Sequence, residues 1–145
     1  MNIYTIGFSK KKLENFIDLL KKNNVNLLID TRLNNTSQLS GFSKRDDLQF
    51  ILKTFSIVYT HRIDLAPTDE ILKKYKKKEM AWPEYEKRYL ELLKNREILV
   101  VFKELIKENN ICFLCSESEA ENCHRKLLVE YLKQNIDLNI EIIHL

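Results

Sequence analysis

Asn26-Leu27-Leu28-Ile29-Asp30 is a nearly continuous apolar run that ends on a carboxylate. A strand with one wet face alternates apolar and polar residues, whereas a strand covered on both faces does not. The run therefore predicts a central strand with helices above and below it. Upstream, Lys10–Lys22 carries Leu13, Phe16, Ile17 and Leu20 at helical spacing, with Ser9 as the expected N-cap. Ahead of it, Asn2–Ile6 is a short β-rich run. Downstream, Thr31–Lys44 is polar and weakly periodic, as a long loop would be.

The alternation continues to the end of the chain. Ser43 is the expected cap of a helix burying Leu48, Ile51, Leu52 and Phe55, and Ser56–Thr60 reads as a third strand. Thr68 opens another helix, with Asp69 and Glu70 in the first turn where the helix dipole favours acids. Pro83 suits the start of a helix carrying Tyr85, Tyr89 and Leu92. A break near Asn95 separates it from a helix with Ile98, Leu99, Phe102, Leu105 and Ile106. Ile111–Cys115 is a fourth strand, about Ala120 to Gln134 a helix, and Asn139–His144 the last strand. This order predicts a single α/β domain over residues 1–145, with a mainly parallel five-stranded sheet, helices on both faces and right-handed crossovers.

Composition limits the function classes. The chain has 145 residues, 44% hydrophobic and 31% charged, with 24 Lys+Arg against 21 Asp+Glu. A net charge of +3 does not by itself name nucleic acid as a partner. Gly7 and Gly41 stand alone, so no glycine-rich phosphate loop exists and no cofactor is expected. Cys112, Cys115 and Cys123 make an odd set, unlike a secreted disulfide framework. Residues 1–20 contain Lys10, Lys11 and Lys12 without an apolar core segment, so neither a signal peptide nor a membrane partner is expected. Cytoplasm is the expected compartment. A domain this long has an adequate core, so zinc should not be needed for folding.

In an open parallel sheet, ligands bind outside the carboxyl ends of the strands. Gly7, Phe8 and Ser9 fall at the end of the first strand, Asp30 and Arg32 at the second, His61 and Arg62 at the third. Cys115, Ser116 and Glu117 end the fourth, followed by Cys123, His124 and Arg125 at the next helix. Most of the reactive side chains thus converge on one edge.

The residues Tyr4-Thr5-Ile6-Gly7-Phe8-Ser9, Leu28-Ile29-Asp30-Thr31-Arg32, Trp82 with Tyr85, Leu114-Cys115-Ser116-Glu117, Cys123-His124-Arg125 and His144-Leu145 resemble the domain of unknown function 488 family. The resemblance runs from the first strand to the last residue, and its closing Cys-x-Glu and Cys-His-Arg block is the most specific part. It implies a cytoplasmic α/β protein with a site at this edge, without naming a reaction. This chain has Phe8 where the family usually has His, and Asn34-Asn35-Thr36 where it usually has a Pro.

Each candidate has a functional and a structural reading. Asp30 and Arg32, two apart, point the same way on an extended backbone. Asp30 is a candidate general base and Arg32 a bidentate anion holder; the alternative is an ion pair of these groups with Arg125. Cys115 before a helix resembles the thiolate of rhodaneses and cysteine phosphatases, against which Glu117, Glu119 and Glu121 weigh electrostatically. Its structural reading is a small buried apolar residue. Cys115, Cys123 and His124, with Glu117 or His61, are a conceivable metal set of unfamiliar spacing, and no metal is assigned. Cys112 and Cys115 face opposite sides of a strand, which excludes them as a redox pair. His124 and Arg125 begin a helix, where backbone N–H groups favour an anion; alternatively Arg125 pairs with Glu117 or Asp30. Trp82 and Tyr85 are core aromatics or a pocket wall.

The reading that follows is a polar pocket for a small anionic or nucleotide-like ligand, or a nucleic-acid phosphate, with hydrolytic or transfer chemistry. Asp30, Glu117 and Cys115 are the candidate catalytic residues; Ser9, Arg32, Cys123, His124 and Arg125 are the candidate binding residues. The alternative is a noncatalytic nucleic-acid or protein-binding module using Lys73–Lys78, a dense basic run with Tyr75 inside it.

Overall fold

A computed structural model describes residues 1–145 of the chain. Its five strands are β1 (Asn2–Gly7), β2 (Leu27–Asp30), β3 (Val58–His61), β4 (Ile111–Cys115) and β5 (Glu141–His144). All pair in parallel, in the order β3-β2-β4-β1-β5. The helices are α1 (Leu13–Lys22), α2 (Arg45–Thr54), α3 (Asp69–Lys76), α4 (Trp82–Asn95), α5 (Leu99–Glu108) and α6 (His124–Asn135). Short 3₁₀ segments occupy Gln38–Ser43 and Ile63–Leu65. No helix is long and apolar enough to cross a membrane.

Strand alternation divides the interior into two cores. Ile3, Leu27, Ile29, Ile111 and Phe113 join the larger core with α3, α4, α5 and α6. Tyr4, Ile6, Leu28, Cys112 and Leu114 face the other way, onto Phe16, Ile17 and Leu20 of α1 and Leu48 and Leu52 of α2. The chain adopts the expected single-domain α/β architecture with a sheet covered on both faces; the sheet, expected to be mainly parallel, is parallel throughout. Chains leaving β1 and β2 turn to the α1/α2 face, while the chain leaving β4 turns to α6 on the opposite face. The crevice between β2 and β4 is therefore a topological switch point, where open sheets leave room for ligands.

Four boundaries differ from the sequence reading for local reasons. Lys10 has φ +61°, so α1 starts later and Lys12, not Ser9, stands at its N-cap. Ser43 does not cap α2, whose N-cap is Lys44; Ser43 is buried and its hydroxyl donates to the Ser40 carbonyl. Ser56 has φ +59° in the turn that ends α2, so β3 starts at Val58. Asn122, at φ +54°, turns the chain into α6, which starts at His124 rather than near Ala120. Thr68 caps α3 as expected, accepting from the Ile71 amide at 3.3 Å.

Candidate functional site

Two buried charge systems are built at the carboxyl edge, one on each face of the sheet. The first follows Leu28 on the α1/α2 side. Asp30 is 0% and Arg32 3% exposed, and they form a bidentate pair: Nε donates to Oδ1 at 2.9 Å and Nη2 to Oδ2 at 2.7 Å. Asp30 also accepts from the Arg32 amide, the Asn35 amide group and the Tyr59 hydroxyl, the last at 2.6 Å. Arg32 gives its remaining bonds to the Ser43 carbonyl and hydroxyl and lies over the Phe8 ring. Burial pushes the Asp30 carboxyl up, but the Arg32 bonds and charge, aided by Tyr59, leave it below the ordinary carboxylate range.

This arrangement bears on two expectations. Asp30 is enclosed by donors and lies behind Arg32, so it has no lone pair directed at a ligand as a general base needs. Arg32 reaches the cavity described below but spends both bidentate edges on Asp30 and Ser43, so it is not an open anion fork. The pairing is within Asp30–Arg32; Arg125 takes no part in it, because it lies on the other face.

The second system follows Phe113 on the α3–α6 side. Cys115 ends β4, Cys123 precedes α6, and their sulfurs are 2.8 Å apart. Arg125, 1% exposed, donates from Nη1 to the Cys115 sulfur at 2.9 Å and to the Glu117 carbonyl. Its Nη2 donates to the Ser118 carbonyl and its Nε to the Thr5 hydroxyl. None of these partners is a carboxylate, so the alternative reading of an ion pair between Arg125 and Asp30 or Glu117 gives way to sulfur, carbonyl and hydroxyl contacts. A buried cation needs a compensating anion, and the Cys115 sulfur is the one bonded group able to become one. Burial raises the Cys115 thiol, while the Cys123 hydrogen bond and Arg125 outweigh it and bring it below the ordinary thiol value. Cys123 is driven the other way by its bond to Cys115 and by burial. Of the two thiols, Cys115 is therefore the one that ionises more readily, with Cys123 and Arg125 placed to donate to its sulfur. Enclosed in this way, Arg125 is not free to receive an external anion at the start of α6.

Gly7 makes this geometry possible. A Cβ there would overlap the Glu117 carbonyl and crowd the Arg125 guanidinium, so the loop after β4 can close over Arg125 only above a glycine. Ser9 supports the same loop, its amide donating to the Ser116 carbonyl at 3.1 Å, and does not line the cavity.

His124 lies beside the pair. The Thr31 hydroxyl donates to the Leu114 carbonyl, so toward His124 it offers only a lone pair. His124 Nε2 must therefore carry the proton, donating to the Thr31 oxygens at 3.0 Å. Burial keeps the ring neutral, lowering its pKa to about 4. Its folded value lies below its free value, so the associated stability is complete above pH 6.5 and is lost as pH falls toward about 4. Urea midpoints measured across this window should fall by the equivalent of roughly 3 kcal/mol. In His124→Asn most of that slope should disappear.

Cys115, Cys123, His124 and Arg32 border a cavity of about 660 Å³, within the size range of small-molecule sites. Tyr75, Tyr85 and Met80 form its wall; Lys76, Lys78 and Glu117 also line it. Tyr75 and Tyr85 are 5.0 Å apart between ring centroids, and Trp82 stacks behind Tyr85 at 4.8 Å as a packing residue. The lysine run is thereby divided. Lys73 and Lys74 pair along α3 with Asp69 and Glu70, while Lys76 and Lys78 are exposed at the cavity. His61 is occupied elsewhere, donating to the Arg32 carbonyl at 2.7 Å. Glu117 is an exposed lining residue and contributes its backbone, not its carboxylate, to Arg125.

Residues 12–132 match the family model described as Domain of unknown function DUF488. The chain belongs to the DUF488 family. No curated protein and no solved structure matches it. Within this DUF488 chain, sequence reasoning missed Thr5, Asn35, Ser43 and Tyr59 as partners of the three buried charges Asp30, Arg32 and Arg125. It also gave no role to Gly7. One signal was available for Gly7: it is one of only two glycines, and it stands at a strand end among reactive residues.

Proposed function

We propose that this DUF488 protein binds a small anionic, ring-bearing ligand of nucleotide-like character between β2 and β4, with Cys115 as the group that meets it. The reading is carried by one observation: an aromatic wall and two exposed lysines surround a cavity lined by Cys115, whose sulfur accepts a hydrogen bond from Arg125. Tyr75, backed by Tyr85, offers an aromatic wall to a ring, and Lys76 and Lys78 offer charge to a phosphate or carboxylate. Arg32 adds rigidity rather than free charge, since Asp30 neutralises it. Cys115, unlike Asp30, couples reactivity with access to the cavity. Pairing of Lys73 and Lys74 along α3 favours this pocket over an extended basic surface.

Titrating nucleoside monophosphates while following Trp82 and tyrosine fluorescence tests the proposal. Lys76→Ala/Lys78→Ala should weaken binding by about tenfold, the loss expected for two exposed charges. The effect should shrink with added salt. Unchanged affinity in the double variant, or a strong preference for long oligonucleotides over mononucleotides, would reject the pocket reading in favour of the basic surface.

A further inference from the structure

We infer that Cys115 and Cys123 form a dithiol site that exchanges with low-molecular-weight anionic disulfides, Cys115 attacking and Cys123 resolving. The substrate class rests on the cavity reading above; the pairing of the two sulfurs does not.

Three features support this assignment. The two sulfurs are 2.8 Å apart although the residues stand eight positions apart in sequence, because Asn122 turns the loop back onto the end of β4. Arg125 donates to Cys115 and to no carboxylate, which marks Cys115 as the anionic sulfur and therefore as the attacking one. Cys115 and Cys123, 1% and 3% exposed, both line the cavity, whereas Cys112 lies on the opposite face of the strand and does not. A volume of about 660 Å³ with tyrosine walls accommodates an organic disulfide and exceeds what a small peroxide would need.

The chemistry balances without any further reagent. The Cys115 thiolate attacks one sulfur of the substrate, the substrate S–S bond breaks, and the departing thiolate takes a proton from water. Cys115 now carries a mixed disulfide. Cys123 loses its proton and attacks the Cys115 sulfur, forming the Cys115–Cys123 bond and releasing the second half of the substrate, which takes up that proton. Two electrons pass from the cysteines to the substrate, which leaves as two thiols. Arg125 stabilises the reduced pair and loses its anionic partner on oxidation. The protein disulfide is consequently oxidising, and an excess of small thiol reopens it.

Dithiobis-nitrobenzoate, an anionic aromatic disulfide, is the probe. The reduced native protein should release two equivalents of the coloured thiol per chain in one fast process and end without an adduct. Its mass should drop by two hydrogens, and peptide mapping should join Cys115 to Cys123. Cys112→Ala should behave identically. Cys123→Ser should release one equivalent and retain the adduct on Cys115. The wild-type peptide map decides the matter even if a cysteine variant folds poorly. An adduct that persists on wild-type Cys115, a link between other cysteines, or reaction only after unfolding would overturn the inference. The preference for this anionic disulfide over neutral hydroxyethyl disulfide should fall about tenfold in Lys76→Ala/Lys78→Ala. An unchanged preference with the Cys115–Cys123 link still forming would reject the anionic substrate class and the pocket reading beneath it, and leave the dithiol standing. Intact nucleotide binding without the link would reject the dithiol alone.

Discussion

Asp30→Ala is expected to lower stability by roughly 3–5 kcal/mol, the cost of stranding a buried charge. Its removal leaves Arg32, 3% exposed, with no counter-ion, and leaves Tyr59 and Asn35 without their acceptor. At this chain length the melting temperature should fall by about 10 °C or more. Asp30→Leu/Arg32→Met should recover much of the loss, because an apolar pair has no charge to strand. The pH dependence has a definite sign. The folded carboxyl titrates below its free value of 3.8, so its stabilisation is complete above that value and is lost as pH falls through the folded pKa. Asp30→Asn should remove that acid limb. A melt of Asp30→Ala within a degree or two of wild type, by differential scanning calorimetry, would show that Asp30–Arg32 is not a structural pair.

Arg125→Ala should have an effect of similar size, through different partners. It removes the donor held by the Glu117 and Ser118 carbonyls and the cation beside the Cys115 sulfur. Unmet buried acceptors and a lost charge partner together cost about 3–5 kcal/mol. Sulfate should not shift the wild-type melt through Arg125, because the guanidinium is enclosed rather than offered to solvent. Neither Asp30→Asn nor Glu117→Gln should rescue Arg125→Ala, since neither carboxylate touches Arg125. Cys115→Ala should rescue part of the loss, so the double variant should cost less than the sum of the singles. Alkylation of Cys115 by iodoacetamide at neutral pH should slow in Arg125→Ala, because the thiolate fraction falls. Full rescue by neutralising Asp30 or Glu117 would restore the ion-pair reading of Arg125.

The central strand was legible because Leu27, Leu28 and Ile29 leave no polar face, and the helices were legible from their apolar spacing. Three of the four errors in boundary lie at Lys10, Ser56 and Asn122, non-glycine residues held at positive φ by the turns around them. Such a conformation is decided by how the chain closes, and Lys or Ser does not advertise it. The candidate edge was legible too, since a parallel sheet collects every strand's carboxyl end in one place.

What the sequence by itself determined is this alternation and the set of residues it delivers to the edge. Partnership was decided by the tertiary structure. Asp30 and Arg125 both belong to that edge, yet strand alternation and crossover direction put them on opposite faces of the sheet. Asp30 meets Arg32 and Tyr59, 29 residues away, and Arg125 meets Thr5, 120 residues away. Cys115 passes over Cys112, its near neighbour, because a strand turns residues three apart to opposite sides, and pairs with Cys123 across a loop that closes only above Gly7. Charge burial then separated the roles. An arginine enclosed with a carboxylate is a structural pair, and an arginine enclosed with a sulfur instead favours the ionised form of that sulfur.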